Sequence, residues 1–468
     1  MEKKKYKKLK SELTDCISHD ELVESIAEPL QMKRIGLIMD LMRRAVMKSS
    51  LGMYGGSPHY FSGKIYEPFK DCDFRNVIYD ILNEAHLERA DFTKIGNIIG
   101  TARSAMYSKD IRPDSQLMVF KNVVYDISRR REFRFHKRYV QVTKVDYEFN
   151  SRDFPMMWTN FLNQVLPDEN YQKILQEFLG SIFVDRRKAK LETMLILKGS
   201  GSNGKSVVFE TILGVLGRQN VSNFGLSALI SGSERKKNIA TINGKRLNYC
   251  SEIRATEISG DSDMLKSLIS GEPLDARAMY GDNFMAYDIP LMMANANSLP
   301  VLRDWSYGMK RRLLVIPFDV EIPPERQNKR LSAALASEYP AIFNWMMEGR
   351  DRFIANGYKL TKSDKLDRII NEYFSECSSA LKFMDYKGYA RCQDKTYAEP
   401  KWVSTASVFR EYCNWCNQNT VQPYTAIAFG RALQQSGYKR RMLNGKAQIA
   451  IFGETVLLRN KRKTENEE

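Results

Sequence analysis

Residues Gly199-Ser200-Gly201-Ser202-Asn203-Gly204-Lys205-Ser206 follow the pattern Gly, four residues, Gly-Lys-Ser. Glycines at these points let backbone N–H groups curl around phosphates, and a helix starting at the lysine adds the positive end of its dipole. Lys205 is placed to pair with the β- and γ-phosphates of ATP, and the Ser206 hydroxyl to ligate Mg²⁺. Phosphoryl transfer also needs a carboxylate at the end of a neighbouring strand, to orient water and complete the metal shell. Leu247-Asn-Tyr-Cys-Ser251-Glu252 supplies it: Glu252 is the candidate base and reaches Mg²⁺ partly through water. Ser251 stands where many such sites carry Asp, so the metal shell has one carboxylate fewer. Asn297 ends the apolar run from Leu291, where its amide could donate to the γ-phosphate or the attacking water; turn chemistry explains Asn-Ser-Leu-Pro equally well. Arg311 and Arg312 precede Leu313-Leu-Val-Ile-Pro-Phe318. They suit an arginine finger offered to a neighbouring subunit's nucleotide, against the plainer reading of a solvated strand end.

These residues need a scaffold, and the hydrophobic pattern predicts one. Met194–Leu197 reads as a buried strand, followed by the Gly-rich turn and a helix from Ser206 to Leu216 closed by Gly217. Further apolar strands are expected at 246–250, 289–293 and 313–316, the earlier ones separated by helices. That is an α/β layout with a mostly parallel sheet. Upstream, Ile35, Leu37, Ile38, Leu41 and Met42 share a helical face, 52–63 is turn-rich, and 74–110 reads as helix. Around 116–148 the pattern turns strand-like: Phe133, Phe135, Lys137 and Tyr139 alternate with Glu132, Arg134, His136 and Arg138. Helix returns over 156–183, broken at Leu166-Pro-Asp with Asp168 as N-cap. After 356 a small helix-plus-hairpin domain is expected. Four parts follow: a basic helical arm (1–50), an α+β accessory domain (51–190), the ATPase core (191–355) and a C-terminal domain with a basic tail (356–468).

The 468 residues carry 72 Lys+Arg against 56 Asp+Glu, a net +16. The excess points to a polyanionic partner, nucleic acid before acidic membrane. Hydrophobic residues at 43% exclude a disordered chain. A mean hydropathy of −0.44 and no long apolar run argue against a membrane span. A polar start and seven cysteines make a reducing cytoplasm the expected location.

The ordered motifs resemble those of superfamily 3 helicases, and more closely the poxvirus/phage/plasmid primase-helicase branch. They are the P-loop, strand-Ser-Glu252, Leu265-Lys266-x-Leu-Ile-Ser-Gly271-Glu-Pro-x-x-Ala-Arg277, strand-Ala-Asn297-x-x-Pro and Arg-Arg-x-x-x-Ile-Pro-Phe. Tyr60-Phe-Ser-Gly-Lys-Ile-Tyr, Phe120-Lys-Asn-Val-Val-Tyr-Asp-Ile and Phe409-Arg-Glu-Tyr-Cys-Asn-Trp-Cys extend the likeness over roughly 50–455. The resemblance implies an AAA+-like motor that assembles as a ring, usually a hexamer. Lys205, Ser206, Glu252 and Asn297 would come from one subunit and Arg311 or Arg312 from the next. It further implies translocation 3′→5′ on single-stranded and forked DNA through the pore, and a winged-helix-like C-terminal domain. In these helicases a hairpin before the Asn-bearing strand carries a basic residue into the pore. Here Gly281 stands where Lys is common, leaving Lys266, Arg277, Tyr280 or Phe284 to hold the strand.

Other clusters are less pointed. Arg134 and Arg138 could hold phosphates between aromatics, or simply form the outer face of a hairpin. Arg440 and Arg441 flank a wing over 443–458, and six lysines in residues 3–10 read as a flexible DNA tether or a solvated tail. Cys377 and Cys392 could complete a four-Cys zinc site with Cys413 and Cys416, but the spacing is loose, and Cys413, Trp415 and Cys416 fall on helical core positions. Asp261-Ser-Asp263 reads as the polar start of the helix leading to Lys266. The leading expectation is a ring-forming, ATP-dependent replicative DNA helicase of a virus, phage or mobile element, with priming left to a separate primase or replisome protein. Rivals are a nucleotide-gated DNA-binding or loading ATPase and a P-loop ATPase that remodels protein.

Overall fold

The computed structural model describes residues 2–85, 94–186, 189–253, 262–279, 281–299, 307–390 and 400–451. The chain opens with α1 (Glu2–Thr14), α2 (His19–Ala27) and α3 (Gln31–Lys48). An antiparallel sheet of β1 (Gly52–Tyr54), β2 (Ser57–Phe61) and β3 (Tyr66–Pro68) follows, then α4 (Asp71–Glu84) and α5 (Ile95–Tyr107). One core unites them: Leu9 and Leu13 of α1 join Ile38 and Leu41 of α3, Phe74 and Ile78 of α4, and Ile98 of α5. The lysine-rich start is therefore no flexible tether. Its two leucines fall one turn apart and bury, while Lys5 and Lys10 pair with Glu67 and Glu84. The boundary expected at residue 50 separates no two cores.

A second antiparallel sheet, β4 (Leu117–Val119), β5 (Val124–Asp126) and β6 (Arg131–Phe133), is shorter than the alternating pattern predicted. Beyond Phe133 the chain leaves the sheet, yet Phe133, Phe135 and Tyr139 still pack on Ile65, Leu117, Val119 and Val124. The alternation therefore records a half-buried face rather than strand pairing. Two helices follow, α6 (Met156–Val165) and α7 (Glu169–Ser181), parted at Pro167, with the Asp168 carboxylate accepting from Asn170 N at 3.0 Å as expected.

The central layer comprises β7 (Met194–Lys198), α8 (Lys205–Leu216), β8 (Val221–Ser222), α9 (Leu226–Ile230), α10 (Arg235–Ile242), β9 (Leu247–Cys250) and α11 (Ser262–Ser270). It continues with β10 (Leu274–Arg277), β11 (Asn283–Ala286), β12 (Leu291–Ala296), α12 (Tyr307–Lys310) and β13 (Leu313–Pro317). Five strands form a parallel sheet in the order β13-β7-β12-β9-β8, while β10 and β11 stand apart as an antiparallel hairpin. β7, β9 and β12 are buried along their lengths apart from Lys198, which is why they read as continuous apolar runs. After the sheet come α13 (Leu331–Leu335), α14 (Tyr339–Ala355) and α15 (Asp364–Cys377). The last group is α16 (Ser379–Tyr386), β14 (Lys401–Ser404), α17 (Thr405–Gln418), α18 (Ala426–Gln435), β15 (Arg440–Leu443) and β16 (Lys446–Ile451).

Neither later boundary follows a core. Trp158, Phe161, Phe178 and Leu179 of α6 and α7 share one interior with Leu195, Val208, Ile212, Phe343 and Met346. At the other end, Ile370, Tyr373 and Phe374 of α15 bury on the opposite face of the sheet. The separate C-terminal core of Phe383, Tyr412, Phe429, Leu433 and Ile449 starts only with α16. The α7–α14 seam is a close helix contact. A Cβ on Gly180 would land on Arg350 N and Met346 O, and one on Gly349 on Gln176 O. Both obstacles are backbone, so the helices must part. Gly180→Ala or Gly349→Ala is expected to cost about 3 kcal/mol, read as a lower denaturant midpoint at unchanged m-value. Beside the seam, buried Glu177 accepts from Arg352 Nε at 2.7 Å and from the Thr361 backbone N–H and hydroxyl at 2.6 and 2.7 Å.

Candidate functional site

The sheet topology sets the site. β7 lies between β13 and β12, and from it the chain crosses to the far edge before returning, so a crevice opens at the carboxyl ends of these strands. Parallel register brings the motif ends level: Ala296 is opposite Lys198, and Ala294 is opposite both Ile196 and Cys250. The P-loop, Asn297 and Glu252 therefore emerge along one rim.

The P-loop is a left-handed curl, with φ of +125° at Gly201, +49° at Ser202 and +85° at Gly204. Gly204 also has Phe161 and Val165 of α6 against it, where a Cβ would sit 2.9 Å from the Phe161 ring. Lys205 Nζ donates to Gly199 O at 2.7 Å and to Asn203 Oδ1 at 2.9 Å. Asn203 in turn donates to Phe318 O at 2.9 Å. The chain after β13 clasps the loop: Ile322 N donates to Ser202 O at 2.9 Å and Ser200 Oγ to Glu321 Oε1 at 2.9 Å. Lys205 is 7% exposed, and burial holds its pKa below the ordinary lysine value, partly offset by the nearby Glu252 carboxylate. Its two acceptors are neutral oxygens. A buried cation so held, in a glycine-rich turn of positive φ with Ser206 exposed at the start of α8, fits a polyphosphate and its Mg²⁺.

Glu252 and Asn297, 45 residues apart in sequence, meet directly: Asn297 Nδ2 donates to Glu252 Oε1 at 3.0 Å, and both are exposed to the crevice rim. Buried Tyr249 and Asn295 tie the two strands beneath them, the phenol donating to Asn295 Oδ1 at 2.9 Å. Ser251 is exposed and its N–H donates to Asn223 Oδ1 at 3.3 Å.

Arg311 and Arg312 lie elsewhere. They precede β13, whose five residues run parallel to β7, so they sit at the opposite end of the sheet from the P-loop, about 16 Å away along the strand. Arg312 is buried, donating to Gly308 O at 2.7 Å and Ser270 Oγ at 3.0 Å. The Arg311 side chain is 49% exposed and pairs with Glu192 at 2.7 Å. Ser270 stands inside the Leu265–Arg277 motif, which assigns it no role of its own; Glu192 carried no motif signal, a lone acid before a buried strand being the most the sequence offers.

The candidate DNA contacts scatter. Arg277 and Phe284 lie on the β10–β11 hairpin, both exposed, with Arg277 Nε donating to Gly281 O at 3.1 Å. Met279, Met285 and Tyr287 are exposed near them, so the hairpin presents apolar surface in place of lysine. Tyr280 lies outside the described residues. Lys266 sits on α11 and pairs with Asp263 in that helix's first turn at 3.1 Å; Asp261 is outside the described residues. Arg134 is exposed, while Arg138 is committed to Tyr139, 2.7 Å from its hydroxyl and stacked 4.7 Å from its ring centre. Arg440 lies against Gly430 of α18, and Arg441 stacks on Trp402 at 4.2 Å. Cys413 and Cys416 share α17, Cys416 within the core. Cys392 and the Cys377 side chain lie outside the described residues, and among the described residues no cluster of three or more His, Cys, Asp or Glu could hold a metal ion. Among the described residues, no helix is long and apolar enough to cross a membrane.

Residues 197–312 match the model of a family of unknown function, DUF5906, and those limits run from just before the P-loop to Arg312. Over 186 residues the chain is 25% identical to a protein of Acanthamoeba polyphaga mimivirus described as "Putative helicase L207/L206". That stretch covers 39% of this chain but only 18% of the viral protein. Among solved structures, the apo C-terminal region of NrS-1 covers 85% of this chain and 94% of its own, at 10% identity and a TM-score of 0.46. Its A form covers 67% and 80%, at 13% identity and 0.42. The resemblance to superfamily 3 helicases rests on the motif order and the viral relative, and the chain is a mixed α/β protein with a P-loop-bearing parallel sheet and antiparallel accessory sheets.

Proposed function

We propose that this protein is an ATP-driven, ring-forming DNA helicase that moves 3′→5′ on a single strand and serves replication of a virus, phage or mobile element. The observation that carries the reading is the meeting of Glu252 with Asn297 on the rim above buried Lys205. Lys205 and the P-loop amides would hold the β- and γ-phosphates, Ser206 and Glu252 would hold Mg²⁺ directly or through water, and the metal would neutralise charge on the transferred group. Glu252 would orient and deprotonate the attacking water, with Asn297 steering the carboxylate.

The sheet order, with the P-loop strand flanked by the last and fourth strands in sequence, supports an AAA+-like core. The distance of Arg311 from its own P-loop supports a finger that serves the neighbouring subunit, which a closed ring, a hexamer in this reading, supplies for every site. Arg312, locked internally, would support that finger. Arg277 and Phe284 would contact the strand in the pore, by backbone pairing and stacking. The order α16-β14-α17-α18-β15-β16 supports a winged-helix reading of the C-terminal core. Between Glu411 and Glu454 there is no acidic residue, against Arg431, Lys439, Arg440, Arg441 and Lys446. That face would hold duplex phosphates ahead of the fork.

The test is strand displacement on forks with a 3′ or a 5′ tail, with ATP hydrolysis measured in parallel. Unwinding of the 3′-tailed fork supports the reading. Hydrolysis and DNA binding without displacement would replace it by a nucleotide-gated loader.

A further inference from the structure

Two residues just before β7 hold both ends of the mechanical path this reading requires. Arg186 is half-buried and donates to four carbonyls: Ile269 at 2.8 Å, Ile289 and Pro290 at 2.9 Å each, and Leu191 at 3.2 Å. Ile269 lies in α11, which leads into the hairpin, and Ile289–Pro290 carry the chain out of it to β12. One guanidinium thus pins both roots of the hairpin. Six residues on, one oxygen of Glu192 receives Arg311 at 2.7 Å and Arg312 at 3.4 Å. Arg312 then reaches Ser270, next to Ile269, through Nε to Oγ at 3.0 Å. Polar contacts link the arginine pair to Glu192 and Ser270, and Arg186 holds the carbonyls of their chain neighbours Leu191 and Ile269; Arg312 and Ser270 are buried, while Arg311 faces outward.

Two like charges side by side repel unless an anion lies between them. Glu192 is that anion, and it leaves Arg311 as the half-exposed member facing outward. A phosphate of the neighbouring subunit's nucleotide competes with Glu192 for Arg311. Any shift of the pair is felt at Ser270, because Arg312 is bonded to both.

Resting on the trans-acting role of Arg311, we infer that Glu192 is the positioning residue of the arginine finger. Ser270 is the joint through which occupancy of the neighbour's nucleotide site reaches the DNA-gripping hairpin of this subunit.

The experiment uses the full chain. Affinity for a labelled single-stranded oligonucleotide is measured by anisotropy with ADP and with a non-hydrolysable ATP analogue, beside nucleotide affinity and steady-state hydrolysis. Wild type is expected to show at least a 10-fold difference in strand affinity between the two nucleotides. Ser270→Ala removes one hydroxyl and should collapse that ratio to within 2-fold, with nucleotide affinity and kcat within 2-fold of wild type. Glu192→Gln should lower kcat at least 10-fold at unchanged nucleotide affinity. A Ser270→Ala chain that keeps the wild-type ratio, a Glu192→Gln chain that keeps kcat, or a wild type whose strand affinity ignores nucleotide overturns the inference. Failure of the underlying reading looks different: hydrolysis then survives Arg311→Ala. If Arg311 matters and Ser270 does not, only the relay falls.

Discussion

A Lys205→Ala chain is expected to fold, to keep wild-type thermal stability within a few degrees, and to lose ATP hydrolysis and strand displacement by at least about 10²–10³-fold. Lys205 is almost buried among neutral oxygens, and that burial already depresses its pKa. Removing the cation therefore relieves a desolvation cost as it deletes two hydrogen bonds, and the two effects oppose each other. The neighbouring loop side chains do not replace it: Asn203 and Ser200 are neutral, and they are already held to Phe318 and Glu321. Measuring turnover alongside a melting curve checks the prediction. An active Lys205→Ala protein would sink the nucleotide assignment, whatever the state of the DNA surfaces.

Arg311→Ala should lower kcat by about 10³-fold while leaving nucleotide affinity unchanged, the behaviour of a group that stabilises charge only in the transition state. The sharper measurement mixes this variant with Lys205→Ala. Each variant alone is inactive, but an interface with the P-loop of an Arg311→Ala subunit and the arginine of a Lys205→Ala subunit is whole. Random equal mixing makes about a quarter of head-to-tail interfaces whole, so hydrolysis should return to roughly that share of wild type. An arginine acting on its own subunit's nucleotide would give no recovery. Arg312→Ala is a poorer probe, because its loss empties three internal contacts at once.

How far these sites could be read in advance followed from how local their signals were. The P-loop is eight consecutive residues, and its strand and helix sit where the pattern put them. Glu252 and Asn297 were legible as separate strand ends. Their contact was not, because it needs the β9–β12 register, which no local pattern encodes. The same gap hid Glu192: its partners lie about 120 positions later, and nothing near it in the chain marks them. The six N-terminal lysines misled because composition outweighed spacing, although Leu9 and Leu13 already carried the helical period. Between residues 133 and 139 the alternation was real, but it described burial rather than pairing. Domain limits rest on a different signal: composition shifts mark changes of pattern, while the cores run across residues 50, 190 and 355.

The bare-backbone seam between Gly180 and Gly349 gives this last point a historical reading. One helix precedes the parallel sheet and the other follows it, so exchanging the region before the sheet calls for its counterpart some 170 residues downstream. Recombination that swapped one side alone would place a side chain where two main chains touch. Front and back of this shared core are therefore expected to tolerate exchange only as a pair, whereas the α16–β16 module has a core of its own.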